Sequence, residues 1–190
     1  MNKPMSNSHF QMMSFSFRIR DLFAPRKKVL KEVGLKPGFQ VLDFGCGPGS
    51  YVTPAAALVG DAGKVYALDI HPLAIDRIKK TIRARGMNNV ETIQSDCRTG
   101  LSDNTIDVAL LYDTLHEIDD PQAVLQELHR ILKPGGLLSF SDHHMEEQEI
   151  LSMLTQGGLF RLSHKGEKTY SFLRCEEPSK DQAHVQDRPR

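Results

Sequence analysis

One segment of the chain joins an apolar run to three closely spaced glycines: Val41-Leu42-Asp43-Phe44-Gly45-Cys46-Gly47-Pro48-Gly49-Ser50-Tyr51. The apolar run from Phe39 to Phe44 predicts a buried strand, and a helical pattern follows the glycines. Glycine has no Cβ atom, so a ligand can approach this backbone closely, whereas a plain tight turn would not need three glycines and their entropic cost. The segment therefore predicts a strand-to-helix turn against a cofactor that contains adenosine.

The spacing of the glycines distinguishes between two such cofactors. The dinucleotide fingerprint G-x-G-x-x-G would require a glycine where this chain has Ser50. Here the third glycine comes one position earlier, and Asp43 stands in front of the first in the pattern D-x-G-x-G-x-G. This spacing argues against NAD and for S-adenosylmethionine.

Length, charge and cysteine content limit the class of protein. The 190 residues are enough for one well-buried core and too few for two ordinary domains. The chain has 24 basic residues, lysine plus arginine, and 24 acidic residues, aspartate plus glutamate. The net charge therefore does not attract nucleic acid, and we expect no nucleic-acid partner. The three cysteines lack C-x-x-C spacing, the N-terminus lacks a secretory apolar region, and no apolar run approaches the roughly 18 residues of a membrane span. We therefore expect a cytoplasmic protein without membrane insertion.

Strand and helix patterns alternate from about residue 26 onward, which is typical of an α/β fold with a doubly wound, mostly parallel sheet. Three helices are predicted to begin near Pro25, Pro72 and Pro121, and two of them to end at Gly34 and Gly86. The strands between and after them are expected to be buried on both faces. They are Lys64 to Leu68, Val90 to Gln94, Ile106 to Leu111, and Leu137 to Ser141.

The pattern changes after a short helix near Glu147 to Thr155. Two strand-like runs, Leu159 to Ser163 and Thr169 to Arg174, predict a hairpin. A parallel sheet that closes with an antiparallel hairpin resembles the class I S-adenosylmethionine-dependent methyltransferase fold, a Rossmann-like sheet of seven strands. Within this class, the chain resembles in particular the small-molecule methyltransferases of the ubiquinone and menaquinone biosynthesis type. The resemblance implies a methyltransferase domain over residues 25–175, with an N-terminal lid or capping segment at 1–24. The tail at 176–190 is polar, contains two prolines and has little to bury, so we expect it to be disordered.

The spacing and the resemblance together assign a cofactor site. Asp69 ends a strand about 20 residues beyond the glycine loop, where a carboxylate holds ribose hydroxyls in nucleotide-binding folds, although it could instead simply precede a helix. The resemblance implies that Asp43 orients the ammonium group of the methionine part, and that Asp96, which could also be an ordinary turn residue, binds the adenine amino group. The expected cofactor residues are Asp43, Gly45, Cys46, Gly47, Gly49, Asp69, Ile70, Asp96, Cys97, Leu111 and Tyr112.

Methyl transfer is an in-line displacement that does not always need a base. If the acceptor must lose a proton, the candidates are His116, His143 and His144, each at or beyond the end of a predicted strand, although His116 could equally be a packing residue. We expect no metal site at His143 and His144, because neighbours on an extended strand point to opposite faces. The sequence also lacks the N/D-P-P-Y motif of enzymes that methylate nucleic-acid amino groups, and its cysteines make arsenic a doubtful acceptor.

The N-terminal segment is rich in apolar side chains, so we expect it to pack against another surface. It contains Phe10, Met12, Met13, Phe15, Phe17, Ile19, Leu22 and Phe23. As a lid it would suit a small, partly apolar acceptor, and the alternatives are a helix packed on the sheet or a homodimer contact. The leading hypothesis is thus an S-adenosylmethionine-dependent methyltransferase. A non-catalytic S-adenosylmethionine-binding module or partner subunit stays open, and an NAD-dependent oxidoreductase is disfavoured by Ser50.

Overall fold

A computed structural model describes residues 4–23 and 26–176. The predicted helix start at Pro25 and the predicted tail beyond Glu176 lie outside these residues. The helices are α1 (Asn7–Phe23), α2 (Arg26–Val33), α3 (Val52–Val59), α4 (Pro72–Arg85), α5 (Pro121–Ile131) and α6 (Glu147–Thr155), with one 3-10 turn at Leu115–Glu117. The strands are β1 (Gln40–Phe44), β2 (Lys64–Asp69), β3 (Val90–Gln94), β4 (Ile106–Tyr112), β5 (Leu132–Ser141), β6 (Phe160–Lys165) and β7 (Tyr170–Arg174).

The seven strands form one sheet in the order β3-β2-β1-β4-β5-β7-β6. The first five are mutually parallel, and β7 lies antiparallel between β5 and β6. This confirms the predicted mostly parallel, doubly wound sheet with its C-terminal antiparallel hairpin. The chain moves outward from β1 to β3 and then returns to place β4 on the other side of β1. The crevice at this change of direction is where such sheets bind ligands.

Two helix ends lie where local chemistry predicts them. Asp120 caps α5 by accepting a hydrogen bond from the Ala123 amide at 3.0 Å, with Pro121 at the first helical position. Gly86 ends α4 in the left-handed conformation, at φ 60°. These signals act over a few residues, so the sequence alone locates both helices.

Each central strand contributes to two hydrophobic layers because successive side chains point to opposite faces. On β4, Ala109 and Leu111 pack with α5 and α6, whereas Val108 and Leu110 pack with α2 and α3. The middle of the sheet is thus covered by helices on both faces.

The prediction that every strand is buried on both faces is wrong for β3. Glu91 and Gln94 are exposed and the other three residues are only partly buried. The reason is position, because β3 is an edge strand and pairs only with β2. Strand β5 also begins earlier than predicted: Leu132 pairs with Ile106 and Leu137 with Val108, so residues 133–136 bulge out of the pairing.

Candidate active site

A pocket opens at the carboxyl ends of β1, β2 and β4, under helix α1. The cavity volume is about 170 Å³, and the mouth is open to solvent. Residues after three different strands line it, together with Pro4, Met5 and side chains of α1. The reversal of strand order therefore brings the predicted cofactor segments together although they are far apart in sequence.

The glycine turn forms the floor of the pocket. The amides of Gly45 and Cys46 both donate to the carbonyl oxygen of Leu68, at 2.9 Å each, which fastens the turn to the end of β2. Gly45 has φ +73°, and a Cβ atom there would overlap the side chain of Thr114. Gly47 has φ +50° with open space on its Cβ side. Glycine is thus required at 45 by a protein contact and leaves room for a ligand at 47.

Asp69 lies across the turn and is 8% exposed. Its Oδ2 accepts from the Gly47 amide and its Oδ1 from the His71 amide, both at 2.7 Å. Burial raises the pKa of the Asp69 carboxyl, and these two backbone hydrogen bonds oppose that rise. Each carboxylate oxygen has a second lone pair, so Asp69 can also accept from two hydroxyl groups in the pocket.

Asp43 is the most unusual group in the pocket. It is 3% exposed, and among the described residues its Oδ2 has no hydrogen-bond partner. Desolvation, and then the negative charge of Asp69, raise the pKa of Asp43 from 3.8 to about 7. A buried carboxylate without a partner is costly unless a ligand supplies one. The position therefore favours a ligand that carries a positive charge.

Side chains of helix α1 line one wall of the pocket. Phe10, Met13, Phe17 and Arg20 line the cavity, and Phe10 is 2% exposed. The Phe10 ring stacks on the ring of His71, with centroids 4.4 Å apart. The contact joins the N-terminal helix to the end of β2.

His71 is a pocket residue that the sequence prediction missed. Its Nδ1 accepts from the Leu73 amide at 3.1 Å, so Nε2 carries the proton and donates to the carbonyl oxygen of Met5, also at 3.1 Å. The only signal in the sequence is its position before Pro72, where a residue caps a helix. Its contact with α1 depends on the tertiary fold.

The structure brings together eight of the eleven predicted cofactor residues at the pocket wall. The eight are Asp43, Gly45, Cys46, Gly47, Asp69, Ile70, Asp96 and Tyr112. Gly49 instead faces Ile78 of α4, Cys97 packs against the core, and the Leu111 side chain is fully buried in it. A ligand contact of Leu111 would therefore have to use its backbone.

The Tyr112 side chain is tied into the fold. Its hydroxyl lies 2.7 Å from Ser139 Oγ in a buried hydrogen bond, and its ring contacts that of Tyr51. Burial raises the pKa of the Tyr112 phenol well above its usual value. Tyr112 therefore stays protonated and shapes the pocket without acting as a base.

The three candidate bases form a group beside the pocket and do not line it. His116 Nδ1 lies 2.8 Å from Asp142 Oδ2, and His143 Nδ1 lies 2.7 Å from Asp113 Oδ1. The ring of His144 packs between the other two, at 4.3 Å from His116 and 4.0 Å from His143. Asp113 is the member of this group that lines the pocket. A catalytic base among these histidines stays a prediction.

Comparisons with known proteins agree with the fold. Residues 35–186 match the family model described as a methyltransferase domain. The demethylmenaquinone methyltransferase of Geobacillus stearothermophilus is 30% identical over 132 residues, which are 69% of this chain and 56% of that protein. The ubiquinone/menaquinone biosynthesis C-methyltransferase UbiE of a Shewanella strain is 30% identical over 128 residues, 66% of this chain and 51% of that one. The chain thus spans little more than half the length of these relatives.

A solved structure agrees over more of the chain. The crystal structure of a SAM-dependent methyltransferase from Aquifex aeolicus superposes with a TM-score of 0.71 at 25% identity, covering 90% of this chain and 98% of that one. Within the described part of the chain, no helix is long and apolar enough to cross a membrane. The matches confirm the family that the sequence predicts, and this chain belongs to the methyltransferase domain family.

Proposed function

We propose that the chain binds S-adenosylmethionine in the pocket under α1 and transfers its methyl group to a small, partly apolar molecule. The observation that carries the proposal is the buried Asp43 Oδ2, which has no hydrogen-bond partner among the described residues and lies in a pocket that Asp69 also lines. The ligand carries a sulfonium and an ammonium group to satisfy a buried negative charge. It also carries a ribose diol for the free lone pairs of Asp69.

The remaining walls accommodate the rest of the cofactor. The glycine turn with Asp43 would hold the methionine part, Asp69 the ribose, and Asp96 with Ile70 the adenine. The Cys46 side chain and the backbone at Tyr112 complete the methionine end. Gly49, Cys97 and Leu111 support these walls from behind.

For methyl transfer, the protein must align the acceptor with the methyl group and exclude water from the site. The bound cofactor supplies an electrophilic methyl group on a sulfonium. Phe10, Met13 and Phe17 of α1 would cover that group and give the acceptor an apolar surface. In this proposal residues 1–24 are the lid of a methyltransferase domain at 25–175, and His116, His143 or His144 receives a proton where the acceptor must lose one.

The acceptor class follows from this lining and from the relatives. Two curated relatives are named for methylation in menaquinone and ubiquinone synthesis, so demethylmenaquinone belongs among the first acceptors to assay. A homodimer and a cytoplasmic location remain predictions from the sequence.

Calorimetric titration with S-adenosylmethionine tests the donor site. Asp69→Ala should weaken binding by about 1 to 3 kcal/mol through loss of charge-assisted hydrogen bonds, whereas Asp61→Ala, at an exposed position, should not. Absence of binding at millimolar ligand would refute the proposal. Binding without any S-adenosylhomocysteine formation over a broad acceptor panel would support the non-catalytic module instead.

A further inference from the structure

A group of metal-ligating side chains lies beside the pocket at the carboxyl ends of β4 and β5. Asp113 follows β4, and Asp142 and His143 follow β5. One donor atom from each of the three lies within 4.8 Å of the others. We propose that Asp113, Asp142 and His143 bind a divalent transition-metal ion.

The local backbone explains why two adjacent residues reach one point. Strand β5 ends at Ser141, and the chain then turns, with the Met145 amide 3.4 Å from the carbonyl oxygen of Asp142. The alternation of an extended strand therefore no longer applies to Asp142 and His143. Asp113 has a left-handed backbone at φ 49°, and its amide donates to the Ser141 carbonyl at 2.8 Å, which joins the two loops.

The donor set and its spacing suit such an ion. Two carboxylates and one imidazole are a mixed oxygen and nitrogen set of the kind that Zn²⁺ and its neighbours accept. Donors held about 2.1 Å from one ion lie roughly 3.0 to 3.5 Å from each other. The 2.7 Å separation between His143 Nδ1 and Asp113 Oδ1 would widen by about 0.3 to 0.8 Å, and the other donor distances, which are at most 4.8 Å, would shorten into the same range.

Asp142 is held in position as a ligand would be. Its side chain is fully buried, Oδ2 faces His116 Nδ1 at 2.8 Å, and Oδ1 accepts from the His144 amide at 3.1 Å. Hydrogen bonds of this kind orient the carboxylate ligands of metal sites. The His143 side chain is 67% exposed, so an ion can enter from solvent.

The charge of the group points the same way. Over residues 4–23 and 26–176, neither Asp113 nor Asp142 forms an ion pair with a lysine or arginine, and each is paired only with an imidazole. Two neighbouring carboxylates without a permanent cation leave negative charge that a divalent ion would neutralise.

The position of the ion would matter for the acceptor. Asp113 also lines the pocket, so an ion bound to it would stand at the pocket edge with coordination positions open to an acceptor oxygen. There it would lower the pKa of a bound hydroxyl group and assist loss of its proton. This role rests on the proposed methyl transfer, whereas metal binding itself does not.

The test is calorimetric titration of chelator-treated protein with Zn²⁺. We expect one equivalent to bind, and His143→Ala and Asp113→Asn each to weaken binding at least tenfold. The matched control is His164→Ala, at an exposed position on β6 away from the group. His143 is mostly exposed, so its variant should melt like the parent protein, which separates ligand loss from misfolding.

Two results would overturn the inference. One is no Zn²⁺ binding at about 0.1 mM, which is too weak for a specific site. The other is binding that His143→Ala and Asp113→Asn leave unchanged. Titration of the same samples with S-adenosylmethionine distinguishes the metal proposal from the cofactor proposal. Zn²⁺ can fail to bind while the cofactor binds, and the cofactor can fail to bind while Zn²⁺ binds.

Discussion

The buried carboxyl group of Asp43 should make the stability of the ligand-free protein depend on pH in an unusual direction. Its pKa rises from 3.8 to about 7 on folding, so the folded state holds a proton that the unfolded chain has already lost. Between these two values the free energy of unfolding therefore falls as pH rises. The contribution is fully present below about pH 4 and is lost above about pH 7.

The size of the effect follows from the same two values. The interval between 3.8 and about 7 corresponds to about 4 kcal/mol, at 1.36 kcal/mol per pH unit. By the linkage relation, about 2 to 3 kcal/mol of this falls between pH 5 and pH 8. Asp43→Asn cannot ionise and keeps a similar shape, so its stability should lack this component.

Urea denaturation at several pH values, with parent and variant in parallel, measures the difference directly. The stability of the parent relative to Asp43→Asn should decline across this range, and Asp61→Asn, at an exposed position, should follow the parent. Binding of a cation should restore the charge of Asp43 and release up to one proton near pH 6. Calorimetry in buffers of different ionisation enthalpy would detect that proton.

Parallel curves for the parent and Asp43→Asn would refute the reasoning. Such a result would mean that water or another group stabilises the ionised carboxylate in the ligand-free pocket. The assignment of Asp43 as the partner of a positively charged ligand would then lose its physical basis.

Two further substitutions test the turn and the lid. Gly45→Ala should lower the free energy of unfolding by about 1 to 2 kcal/mol because its side chain sits at positive φ, and by more because its Cβ atom overlaps Thr114. Gly158→Ala has nothing near its Cβ position and should show only the backbone effect. Equal losses of stability in urea would contradict this. Phe10→Ala should increase hydrogen exchange in α1 and weaken S-adenosylmethionine binding, because Phe10 is buried on the pocket wall. Phe15 is 65% exposed, so Phe15→Ala should change neither measurement. An unaltered affinity in Phe10→Ala would count against the lid.

The parts of the site that the sequence predicted depend on short-range patterns. The glycine turn follows a strand whose apolar run is visible directly, and Asp69 stands at the next strand end at the spacing expected of a ribose ligand. The alternation of elements predicts a parallel sheet, whose strands have their carboxyl ends at one edge, and the structure has the pocket at that edge.

Other features depend on contacts between distant parts of the chain. Nothing in the sequence around His71 indicates that Phe10 stacks on it, since the two residues meet only when α1 folds over the end of β2. The exposure of β3 also depends on the tertiary fold, because β3 lies at the edge of the sheet and leaves Glu91 and Gln94 in solvent.

The sequence by itself determined the fold class, the glycine turn and three of the five carboxylates that line the pocket, Asp43, Asp69 and Asp96, because periodicity, capping and glycine spacing act within a few residues. Only the tertiary structure decided that the Thr114 side chain packs against Gly45 and that Asp43 is buried. It also decided that the donor atoms of Asp113, Asp142 and His143 lie close together. The physical reason is that burial and donor distances are set by which strand ends become neighbours and by how the following loops turn.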